Sequence, residues 1–107
     1  LWVATDGMSK KSAGRNDGLF AVETEGPLRG TSKMFFRVPD GAEMCGPCFT
    51  PDDETLFLAV QHPGEGDEAA GEGSFENPST RWPDFKPDMP PRPSIVAITR
   101  KGGGKIA

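Results

Sequence analysis

From Gly41 to Gly64 the chain reads GAEMCGPCFTPDDETLFLAVQHPG, and this stretch limits the fold more than any other. CFTP and TLFLAV are two apolar runs joined by Pro51-Asp52-Asp53-Glu54. Proline presets φ for a tight turn, and aspartate side chains bond the backbone just beyond it, so a β-hairpin is expected here. Leu56 to Val60 is apolar without alternation, which predicts a strand covered on both faces. Gln61-His62-Pro63-Gly64 then stops the strand and delivers a polar pair to a loop.

The rest of the chain repeats the pattern of short apolar runs and breakers. Strands are expected at Leu1–Thr5, Leu19–Thr24, Lys33–Val38, Met44–Thr50, Thr55–Val60 and Ser94–Thr99, with a further one beginning at Ile106-Ala107. Met8 to Asn16 reads as a polar loop, and Asn16-Asp17-Gly18 as a turn. No helical period persists. The 14 glycines and 11 prolines make up nearly a quarter of the 107 residues, roughly twice ordinary usage, which favours turns over long helices. Glu65 to Glu76 is acidic and glycine-rich and is expected to be mobile; Asn77 to Pro93 is proline-rich, with Trp82 and Phe85 expected to cover a strand edge or sheet face.

Strands in this rhythm indicate an all-β fold of antiparallel strands, a sandwich, barrel or propeller. The spacing fits about two β-propeller-like blades. Residues 1–41 would supply strands of one blade and 42–107 the next, with a Gly/Pro-rich insertion at 63–93. LFAVET and KMFFRV would form the outer hairpin of one blade. CFTPDDETLFLAV would form the inner hairpin of the next, and SIVAIT-KGGG-KIA its outer one. Two blades do not close a ring, and an apolar content of 35% implies a small core or one completed from outside. The abrupt apolar start at Leu1 reads as a cut within a longer protein. Open sheet faces and edges also predict self-association or marginal stability of the chain alone.

A net charge of −4 argues against non-specific nucleic-acid binding. No apolar run approaches the roughly 20 residues that span a bilayer, and no signal-peptide pattern is present. Cys45-Gly46-Pro47-Cys48 matches a dithiol redox motif, which needs its first thiolate at a helix start. Pro51 and the surrounding strand pattern oppose such a helix. On a plain strand the two cysteines would lie on opposite faces, where a mutual disulfide is awkward. A zinc half-site lacks a second cysteine pair.

Glu43, at the start of the central strand among small residues, is either a solvated turn carboxylate or a ligand for a hard cation. Asp6 and Asp17 each precede glycine, as turn residues and metal-loop residues both do. His62 reads as a backbone-bonded loop histidine, or as a phosphate contact, proton donor or metal ligand. Arg15 and Arg29, on glycine-bearing loops, are either exposed charges or phosphate partners.

Taken in order, GLFAVETEGPLRG, the Gly41–Gly64 stretch and STRWPDF with PPRPSIVAITR resemble the C-terminal part of the PhoX-type alkaline phosphatases. The most specific pieces are Gly41-Ala42-Glu43, the Phe49–Leu56 hairpin and Gln61-His62-Pro63-Gly64. The resemblance implies a periplasmic or otherwise secreted β-propeller, exported by the twin-arginine route, that hydrolyses phosphate monoesters with calcium and iron. It implies Glu43 and Asp6 as metal ligands, and Gln61 and His62 as site-lining or structural residues. Cys45 does not match the family's iron-binding cysteine. The remaining blades would be the chain's partner, with the fragment inactive alone. Two other functions compete: a binding or structural propeller segment without metal, and a CxxC dithiol module.

Overall fold

The computed structural model describes residues 1–7 and 10–107. Its regular structure is all-β apart from two short helical turns. The strands are β1 (Trp2–Ala4), β2 (Gly18–Val22), β3 (Ser32–Arg37), β4 (Glu43–Phe49), β5 (Thr55–Gln61) and β6 (Ser94–Thr99). They form two three-stranded sheets, β1-β2-β3 and β4-β5-β6, in which every neighbouring pair is antiparallel. Each lies within two residues of its expected place.

The β4–β5 turn forms through the side chains its sequence supplies. The Thr50 hydroxyl donates to Asp52 Oδ1 at 2.6 Å and accepts from the Thr55 N–H at 3.0 Å. Asp52 Oδ1 also accepts from the Glu54 N–H, and Asp53 takes φ +62°. Hairpin register is thereby fixed, and it sends Leu56, Leu58 and Val60 inward, each no more than 1% exposed. These three pack with Leu19, Val38, Ala42 and Met44 as the fully buried core, flanked by Phe49, Trp82, Val96 and Ile98. Trp2 bridges the sheets, its ring 5.3 Å from Phe49 and edge-on to Phe35 at 5.0 Å.

Several expectations are corrected. β5 is covered on one face only: Phe57 is 41% exposed and Ile95, on the same face of β6 opposite Ala59, 70%. Apolar continuity marks what a strand can bury, and the described residues supply no layer for its outer face. No strand forms at 106–107. Ile106 instead donates its N–H to the Asp53 carbonyl, half-buried against the core, so no outer hairpin pairs with β6. In the expected loop from Met8 to Asn16, Met8 and Ser9 lie outside the described residues, and Lys10–Ala13 is a helical turn, α1. Asn16-Asp17-Gly18 is not a turn apex, because Gly18 already opens β2.

The insertion is folded back on itself. Asp67 caps a 3₁₀ turn at Glu68–Ala70 by accepting from the Ala69 N–H, and Gly71 closes it in the left-handed region. Arg81 donates to the carbonyls of Phe75, Glu76 and Met89, tying the two halves together. Trp82 packs against the core, whereas Phe85 stays 69% exposed.

Candidate functional site

Antiparallel register brings one end of each sheet into play. Ala4↔Leu19 and Gly18↔Arg37 place the end of β1, the start of β2 and the end of β3 together. Glu43↔Gln61 does the same for the start of β4 and the end of β5. Between these ends lies a cleft of about 720 Å³. Asp6, Asp17, Asp40 and Glu43 line it from the sheets and their loops, His62 from the end of β5, and Glu65, Asp67 and Glu72 from the insertion. The two expected metal ligands, Glu43 and Asp6, therefore face the same space. Arg15 and Arg29 are not among its lining residues.

Glu43 is the most constrained of these carboxylates. Its Oε1 accepts from the Cys45 thiol at 3.0 Å, and its Oε2 lies 3.4 Å from His62 Nε2. The thiol bond, outweighing partial burial and helped by His62, holds the carboxyl below its usual range. The same bond, with burial and the negative charges of Glu43 and Asp6, pushes the Cys45 thiol up to about 11. Cys45 also lies 3.2 Å from Gln61 Oε1, so Gln61 closes the cluster without lining the cleft itself.

His62 sits at φ +36°, in the left-handed region, where its ring turns back under the β3–β4 turn. Nδ1 lies 2.9 Å from the Gly41 carbonyl and 3.3 Å from Glu65 Oε2. Both ring nitrogens thus face acceptors, an arrangement suited to the imidazolium. Burial opposes that charge, but the Gly41 carbonyl, Glu43 and Glu65 outweigh it and raise the pKa.

Gly41 permits this closeness. It takes φ +72°, and a Cβ there would fall within the Glu65 peptide. Asn16 donates to Asp40 Oδ1 at 2.6 Å, fixing another carboxylate of the cleft. Asp-Gly pairs are so common in plain turns that the sequence marks Asp17, 3% exposed here, no more strongly as a metal-loop residue than as a turn residue, and does not single out Asp40.

The two cysteines are free and share one face. Cys45 pairs with Ala59 and Cys48 with Phe57, so that Gly46 and Pro47 of β4 stand against Leu58 alone of β5. This β-bulge, with Gly46 at φ +55°, overturns the expectation of opposite faces. The sulfurs nevertheless lean apart, Cys45 toward Glu43 and Cys48 toward the Phe49 carbonyl. Cys45 stands inside a strand, not at a helix start, and its raised thiol pKa is the reverse of what dithiol chemistry needs.

The cleft's donors are carboxylate oxygens, which suit calcium rather than a soft ion. Among the described residues, however, no group of three or more His, Cys, Asp or Glu side chains is arranged to hold a metal ion. Nor is any helix among them long and apolar enough to cross a membrane. In comparisons with known proteins, the family described as alkaline phosphatase PhoX matches residues 1–64, which include both sheet ends and every cleft residue up to His62. No curated protein and no solved structure matches the chain.

Proposed function

This chain belongs to the alkaline phosphatase PhoX family, and we propose that it forms part of a secreted, calcium-dependent phosphatase acting on phosphate monoesters. The observation that carries the reading is the convergence of Glu43 and Asp6 on one cleft, at the same end of both sheets. In this reading each sheet belongs to a propeller blade. Further blades cover the outer face of β5 and complete the coordination that these residues begin.

Glu43 and Asp6 would supply part of the cation's coordination, and its remaining ligands, like those of an iron partner ion, would come from other blades. Bound there, calcium would neutralise charge on the transferring phosphoryl group and orient its nucleophile. The chain's own residues bind and orient: His62 braces Glu43, and Asn16 braces Asp40. The insertion walls one side of the cleft. Because the lining is predominantly acidic, a phosphate dianion would be repelled until cations are in place. The chain alone is therefore expected to be inactive.

The test is p-nitrophenyl phosphate turnover by the full-length protein, with and without calcium, beside Glu43→Gln. Calcium-dependent hydrolysis that is lost in the variant is the expected result. Activity untouched by Glu43→Gln would keep the family but move the site to other blades. The second reading, a binding or structural propeller segment, is favoured by the lack of a three-residue metal group among the described residues. Absence of hydrolysis under every metal condition would select it.

A further inference from the structure

The Cys-Gly-Pro-Cys motif is left without a role once dithiol chemistry is set aside, yet the Cys45 thiol lies nearer the Glu43 carboxylate than the His62 ring does, 3.0 Å against 3.4 Å. We propose that Cys45 is a positioning residue for the Glu43 carboxylate, its thiol acting as a fixed hydrogen-bond donor that orients Glu43 toward the cleft. The inference rests on the reading of Glu43 as a calcium ligand.

The geometry supports it in three ways. First, the Cys45 S–H points at Glu43 Oε1, 3.0 Å away, while His62 occupies the Oε2 side at 3.4 Å. A carboxylate has about four lone-pair positions. Two donors fix its plane and leave the others for the cleft. Second, Glu43 and Cys45 are two apart on β4 and so share a face, with Gln61 directly across from Glu43 on β5. The thiol's one proton has two acceptors, Glu43 Oε1 and Gln61 Oε1 at 3.2 Å. Gln61 thereby keeps the thiol within the cluster. Third, the bulge beyond Cys45 separates it from Cys48, whose sulfur leans the other way along the strand. The two thiols of the motif have different surroundings, and only Cys45 reaches the site.

Removal of a group that orients a metal ligand typically costs 10- to 100-fold in metal affinity. Full-length protein is compared with Cys45→Ala, Cys45→Ser, Cys48→Ala and Glu43→Gln by calorimetric titration with calcium, after thermal melting has shown each to be folded. Cys45→Ala is expected to weaken calcium about tenfold. Cys45→Ser, which keeps a donor, should stay within about threefold of wild type, and Cys48→Ala should bind like wild type.

Unchanged affinity in Cys45→Ala beside a loss in Glu43→Gln would overturn the positioning role and leave Glu43 as a ligand. A serine variant as weak as the alanine one would also overturn it, by making packing rather than donation responsible. Unchanged affinity in Glu43→Gln would overturn both, since no ligand would remain to be positioned.

Discussion

Replacing Gly41 with alanine should damage the cleft and the fold together, by an amount the structure separates into two parts. The residue takes φ +72°, and a left-handed conformation costs an ordinary L-residue about 1–2 kcal/mol. The second part is contact. A Cβ would stand 2.6 Å from the Glu65 carbonyl carbon and 2.7 Å from its nitrogen, and closer still to its oxygen. Backbone cannot rotate away as a side chain can, so the insertion must move off the β3–β4 turn. Overpacking of this kind costs about 1–3 kcal/mol. Gly26→Ala is the control: φ is +70° there, and nothing lies within 4 Å of the added Cβ. The expected loss is then about 1–2 kcal/mol for Gly26→Ala and about 2–5 kcal/mol for Gly41→Ala. Urea unfolding followed by Trp2 and Trp82, both packed on the core, reads the difference as a midpoint lower by ~1 M, for a slope near 2 kcal/mol per molar. Equal midpoints for the two variants would refute the argument, because only the Glu65 contact distinguishes them.

Leu58→Ala, at a site 1% exposed, should cost about 2–5 kcal/mol in the same unfolding assay. Phe57→Ser, next along β5 but on the open face, should cost much less and should reduce self-association measured by sedimentation velocity; association as strong as wild type would separate that face from self-contact. The raised pKa of His62 means that its stabilisation is complete below about pH 6.5 and lost as pH rises through the folded-state value. His62→Gln should abolish this loss in urea midpoints taken from pH 6 to 9. The lowered pKa of Glu43 acts in the opposite window, stabilising above about pH 4.5 and fading as pH falls through the folded-state value.

How far the sequence speaks depends on whether a feature is local. The β4–β5 hairpin is written in Thr50, Pro51 and Asp52, whose side chains make the turn in place. Glu43, Asp6 and His62 were visible as candidates because each stands where a strand meets a loop. That Asp17 and Asp40 join them depends on antiparallel register across two sheets, and no local pattern carries it. The bulge at Gly46-Pro47 was also hidden. One extra residue reverses which face a side chain takes, so counting by alternation put Cys48 on the wrong side. The open face of β5 shows the converse: five apolar residues in a row state a capacity for burial, and the covering layer must come from elsewhere.

The acidic half of the insertion is closed at its neck. Gly64 donates its N–H to the Asp40 carbonyl and accepts from the Ser79 N–H, so residues 65–78 leave and return at one residue. Segments tied off in this way can change length without pulling on what lies either side, and each doubling of a flexible loop costs only about 0.6 kcal/mol. Since Glu65, Asp67 and Glu72 form one wall of the cleft, the width of its mouth can vary independently of the strands that aim Glu43.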